Sequence, residues 1–129
     1  MIALKPGVPD ASVEIVARLR AGEIVCMLGD RTMEGRSMAA DFLGAPVRLP
    51  VGPFAVAAAT GAPVVPVFVV KSGLLRFTFT ACDTIRVAPH AREERDSAIA
   101  AGIRMFASRL DSVVRAAPWQ WYNFYDFWA

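Results

Sequence analysis

A chain of 129 residues with a formal charge of +2 is enough polypeptide for one domain with a single core, and its charge balance excludes neither acidic nor basic partners. Apolar residues make up 55% and mean hydropathy is +0.40, which excludes a disordered chain and points to buried parallel strands, a membrane surface or a lost partner. Twelve of the 14 basic residues are Arg, which suits phosphate recognition or simply reflects codon usage; they are scattered, so no nucleic acid partner is expected.

No charge falls between Arg48 and Lys71, a stretch long enough to cross a bilayer. Pro50, Pro53, Pro63 and Pro66, with Gly52 and Gly61, would break any helix there and leave backbone groups unsatisfied in lipid. The stretch therefore reads as turn, helix, turn, strand. Met1 to Pro6 shows no signal-peptide core. Cys26 and Cys82 are expected as buried, reduced thiols, and no metal-ligand spacing is present.

In chain order, Asp10 can cap a helix over 11–21, with Val13, Val16 and Ala17 at helical spacing and Gly22 as its stop. Ile24–Leu28 is wholly apolar, as a strand inside a mostly parallel sheet would be. Residues 29–41 form a loop carrying Asp30, Arg31, Glu34 and Arg36, and Phe42–Leu49 reads as irregular extended chain. Gly52-Pro53 opens an Ala-rich helix over 54–60 that Gly61 ends. Val64–Val70 is a second buried strand. Lys71-Ser72-Gly73 turns into a strand over 74–81, where Leu75, Phe77 and Phe79 alternate with Arg76, Thr78 and Thr80. Ile85–Val87 can add a short strand. A long helix over 92–116 carries Ile99, Ile103, Phe106, Leu110 and Val113 as one stripe, and Pro118 ends it. Helices alternating with apolar strands make the expected class α/β. The tail, Trp119–Trp128, holds all three Trp and both Tyr; it either faces a membrane or folds back over the core, with Asn123 and Asp126 bonding backbone at its turns.

Two places can carry chemistry. Asp30-Arg31 stands at the end of an expected strand, where an Arg can hold phosphate bidentately and an Asp can orient it; an ion pair closing the turn is the plainer reading. Gly52 precedes a helix start, whose backbone N–H groups favour an anion, although Pro53 removes one donor and an ordinary helix start explains the pair as well. Ser37, Ser72, Ser97, Ser108 and Ser112 lack a plausible His partner, and Asp41, Asp83, Glu93 and Glu94 read as solvated acids.

In order and spacing, Gly29-Asp30-Arg31, Phe42-Leu43-Gly44-x-Pro46, Pro50-x-Gly52-Pro53 and Thr60-Gly61-Ala62-Pro63-Val64-x-Pro66 resemble the lipid A biosynthesis (lauroyl/myristoyl) acyltransferases of the lysophospholipid acyltransferase superfamily. Trp119 to Trp128 is similar to the closing motif of that family. The resemblance covers about Gly22 to Trp128 and implies a mostly parallel central sheet flanked by helices, the C-terminal half of a glycerol-phosphate-acyltransferase-like fold. It implies transfer of a fatty acyl group from an acyl carrier protein or coenzyme A thioester to a lipid or glycolipid hydroxyl, without a cofactor. It also implies peripheral attachment to the cytoplasmic face of the bacterial inner membrane, and Asp30, Arg31 and Gly52 on the substrate-phosphate side.

One departure matters. The family's base is a His followed, after four residues, by Asp or Glu, and it precedes the phosphate-side blocks. Here the one histidine is His90, after those blocks, with Arg95 where the acid would stand. Acceptor activation without its base loses on the order of 10²–10⁴ in rate. The expectation is a C-terminal acyltransferase portion, inactive alone and soluble as a fragment, that resembles an enzyme but holds no catalytic residue of its own. The alternative is a non-catalytic module that binds lipid phosphate or a partner.

Overall fold

The computed structural model describes residues 10–31, 35–89 and 91–128, with Asp10 and Ala11 described by backbone alone. The readings placed on Met1 to Pro6, the Asp10 cap, Glu34 and His90 fall outside the described residues. Among the described residues the chain is mixed α/β, with three α-helices and two small antiparallel sheets.

Helix α1 (Asp10–Arg20) ends at Gly22, whose φ of 80° closes the last turn. It rests on α2 and buries Ile15, while Val13, expected on its apolar face, is exposed. The end of the expected loop over 29–41 and the stretch 42–49, expected as irregular extended chain, instead form a hairpin of β1 (Ser37–Phe42) and β2 (Ala45–Pro50), with Phe42 opposite Ala45. Its two-residue turn places both Leu43 (φ 52°) and Gly44 (φ 89°) in the left-handed region, the geometry that follows strand twist. Leu at such a position costs about 1–2 kcal/mol, and Asp111 of α3 offsets this by accepting the Leu43 N–H at 2.7 Å. Ala40, Phe42, Val47 and Leu49 point inward from the hairpin, with Asp41 and Arg48 outward.

Helix α2 (Gly52–Thr60) carries Pro in its first turn and stops at Gly61, φ 73°. Its Phe54 and Ala57 pack against α3 (Arg95–Ala116), the 22-residue helix that crosses the β1–β2 face. The stripe read from the sequence is buried through Ile99, Ile103, Phe106 and Leu110, joined by Gly102, Ala107 and Val114, while Val113 is half-buried. These side chains form one core with Phe42, Leu49, Phe54, Ile85 and Val87. Each large one contributes roughly 1.5–3 kcal/mol on burial.

Strand β3 (Val67–Lys71) pairs antiparallel with β4 (Phe77–Ala81). The expected strand over 64–70 starts late because Pro66 has no N–H for a ladder; Val64 makes an isolated antiparallel bridge to Ile85 instead, at 3.0 and 2.8 Å. The expected strand Ile24–Leu28 does not form: the segment is irregular, with Ile24 92% exposed. A wholly apolar strand is held by neighbours on its edges and cover on its faces, and among the described residues nothing pairs with this one. Every strand pair among the described residues is antiparallel, so the expected parallel central sheet is not seen there. The tail folds back: Trp121, Phe127 and Trp128 set their rings 5.0, 5.5 and 6.1 Å from that of Phe42. As expected, Asp126 accepts a tail backbone N–H, that of Trp128, at 3.1 Å.

Candidate functional site

The segment 27–30 is brought to the core by a close approach. A Cβ on Gly29 would come within 2.8 Å of the Phe106 ring, so only glycine lets the chain lie against that ring. Phe106 itself stacks near Phe68 and meets Phe54 edge-on, each at 6.1 Å between centroids. The chain then leaves the core through Asp30, half-buried, and Arg31, exposed.

Between this segment and β3 lies a cavity of about 290 Å³. Met27 to Asp30 form one wall, Val64 to Val70 the other, and Phe106, Leu110 and Val114 of α3 its floor, with Trp121 at one end. Its lining is apolar but for Asp30, Gln120 and backbone groups, and its size matches the lower end of small-ligand sites. Pro53 and Phe54 also line it, so the start of α2 opens on the same cavity as Asp30. Gly52 is exposed just ahead of them, with the Met27 methyl 4.0 Å from where its Cβ would stand. No side-chain hydrogen bond caps α2 among the described residues, and its first turn carries no acid.

Of the three residues singled out in the sequence, Asp30 stands at the rim as part of the lining, Arg31 follows it in the chain and is exposed, and Gly52 is one residue ahead of the lining Pro53. The structure adds Tyr125 near Asp30 and Arg31. Burial and the nearby Asp30 carboxylate push its phenol above the ordinary value, while Arg31 draws it back, so all three groups share one electrostatic neighbourhood. Tyr125 sits among the aromatics of the tail, and no spacing distinguished it from Tyr122; only the fold-back onto Phe42 carries it to Asp30. Phe106 likewise read as core, and its second role as cavity floor follows from the contact with Gly29.

Such a rim can hold an anion by a guanidinium and helix N–H groups, and its cavity can take an apolar group. A general base is another matter. The described residues contain no histidine and no cluster of His, Cys, Asp or Glu able to hold a metal ion. The two thiols are free, Cys26 exposed and Cys82 half-buried, rather than both buried as expected. No helix among the described residues is long and apolar enough to cross a membrane.

Two curated relatives are similar to part of this chain: the phosphatidylinositol mannoside acyltransferases of Mycobacterium tuberculosis strains CDC 1551 / Oshkosh and ATCC 25618 / H37Rv, each 41% identical over 49 residues. The match covers 38% of this chain and 16% of each relative, so it spans well under a fifth of their length. Residues 8–129, nearly the whole chain, match the family described as bacterial lipid A biosynthesis acyltransferase, and the chain belongs to that family.

Proposed function

We propose that this chain supplies the acceptor-gripping part of an acyltransferase that moves a fatty acyl group from an acyl carrier protein or coenzyme A thioester to a lipid or glycolipid hydroxyl of the lipid A type. The observation that supports the reading is an apolar cavity lined by Asp30 and by Pro53 and Phe54 of α2, with Arg31 next in the chain after Asp30 and Gly52 just ahead of Pro53. A phosphorylated head group is held by Arg31 and the α2 N-terminus, Asp30 orients the guanidinium, and the apolar lining takes hydrocarbon. The Mycobacterium tuberculosis relatives, phosphatidylinositol mannoside acyltransferases, are likewise named for a glycolipid. In the complete acyltransferase domain, Ile24–Leu28 and β3 belong to a mostly parallel central sheet, and the enzyme works as a peripheral protein at the cytoplasmic face of the inner membrane. The proton acceptor comes from outside the described residues.

Arg31 is the residue to test. In the full-length acyltransferase carrying this chain, Arg31→Ala removes a charge-assisted contact worth about 1.5–3 kcal/mol, so kcat/KM for a phosphorylated acceptor falls roughly 10- to 100-fold while the thermal midpoint is retained. Unchanged kinetics would make Arg31 a turn residue only. Retained head-group binding without turnover in the full-length protein would favour the alternative, a non-catalytic lipid-phosphate or partner-binding module.

A further inference from the structure

The aromatic tail is a strap fixed at two places. At its start Gln120 covers part of the edge of β3: its Oε1 accepts the Lys71 N–H at 2.6 Å and its Nε2 donates to the Lys71 carbonyl at 3.0 Å. At its end Phe127 is buried on Phe42, with the Trp121 ring edge-on at 4.9 Å and the Trp128 ring at 5.7 Å. Gln120 and Trp121 both line the cavity that Asp30 also lines.

Tyr125 lies between these two anchors. Its ring stands 6.0 Å from that of Phe127, it keeps 51% of its surface exposed, and its phenol is near Asp30 and Arg31. The other tail aromatics between the anchors, Tyr122 and Phe124, are more exposed, at 66% and 91%. Among the described residues neither the Tyr125 hydroxyl nor the Arg31 guanidinium has a hydrogen-bond or ion-pair partner, so the ion pair that could have closed the turn at Asp30-Arg31 is not formed. A free phenol and a free guanidinium beside one cavity are two donors with no acceptor of their own.

We infer that the Tyr125 hydroxyl is a further contact to the anionic head group held at Arg31, donating its O–H to a phosphate oxygen. The inference rests on the proposed phosphate grip and adds a residue to it. Arg31 is exposed and gives up rotamer freedom when it grips, whereas a tyrosine ring has two torsions and this one is already held by the strap. The phenol is held above its ordinary value, by burial first and by Asp30 second, so at neutral pH it is a donor and not a base. A neutral donor also adds to the grip without a charge that salt would screen.

The test is calorimetric titration of the polypeptide of residues 1–129 with decyl phosphate, with decanol and inorganic phosphate for comparison. Decyl phosphate is expected to bind more tightly than either. Tyr125→Phe keeps the ring and its packing, so it should weaken decyl phosphate about three- to tenfold while decanol binding and the thermal midpoint are retained. Tyr122→Phe, in the same tail, should change nothing. Decyl phosphate binding that Tyr125→Phe leaves intact while Arg31→Ala weakens it overturns the inference and leaves the grip standing. Equal weakening of decanol by Tyr125→Phe also overturns it, because the phenol would then serve the cavity and not the anion. Inorganic phosphate bound as tightly as decyl phosphate would make this a site for free phosphate and overturn the head-group assignment. Binding unaffected by Arg31→Ala removes the grip, and this inference with it.

Discussion

At the scale of single residues, two glycines set the distances on which core and rim depend. Gly29 lies against the Phe106 ring, and Gly102 of α3 faces Phe54 and Val87, where a Cβ would stand 3.0 and 3.1 Å away. Phe54 and Val87 are both buried and cannot swing clear. Gly102→Val is therefore expected to overpack this point and cost about 2–3 kcal/mol. The measurement is urea unfolding, with a lower midpoint at unchanged slope; an unaltered midpoint would mean the helix slides to make room. Gly29 matters differently, since a side chain there would push the 27–30 segment, and Asp30 with it, off the rim.

Among elements, the strongest tie is polar. Asp111 on α3 receives the Leu43 N–H of the β1–β2 turn and bonds the Arg115 Nε at 2.5 Å. These contacts, the Arg115 bond first and the Leu43 N–H second, hold its carboxyl below the ordinary value of 3.8. A carboxylate depressed in the folded state stabilises the fold above its unfolded value, and that contribution is lost as pH falls through its folded value. Asp111→Asn should lower stability at neutral pH, and the gap to wild type should narrow as the pH drops from about 6 to about 3. Thermal midpoints across that range check it; a constant gap would show that the charge plays no part. The Gln120–Lys71 pair is the corresponding tie for the second hairpin, covering with one carboxamide part of a strand edge that would otherwise be open.

For the whole molecule, separate stretches come together: the 27–30 segment and the start of α2 line the cavity, and the tail brings Tyr125 near Asp30 and Arg31. None of them carries a histidine. The polypeptide of residues 1–129 is accordingly expected to show no acyl transfer above background with either thioester donor. A chain extended upstream to include His, four residues, then Asp or Glu should transfer. Robust turnover by the 129-residue chain would mean another group acts as base.

Helix positions were legible from local chemistry. Gly22, Gly61 and Pro118 stop helices where left-handed φ or a missing N–H requires it, and the spacing from Ile99 to Leu110 marks the buried face of α3. The family was legible too, because its blocks are short runs whose order survives in one dimension. Strand partners were not: apolarity says that a strand wants cover and neighbours but not which ones, so Ile24–Leu28 looked like a strand and is unpaired, and 42–49 looked irregular and is half of a hairpin. The nearness of Tyr125 to Asp30 and Arg31 was decided by the fold alone, through Gly29 on Phe106 and the tail rings on Phe42, since charges separated along a chain share a neighbourhood only where packing brings them within reach of one another.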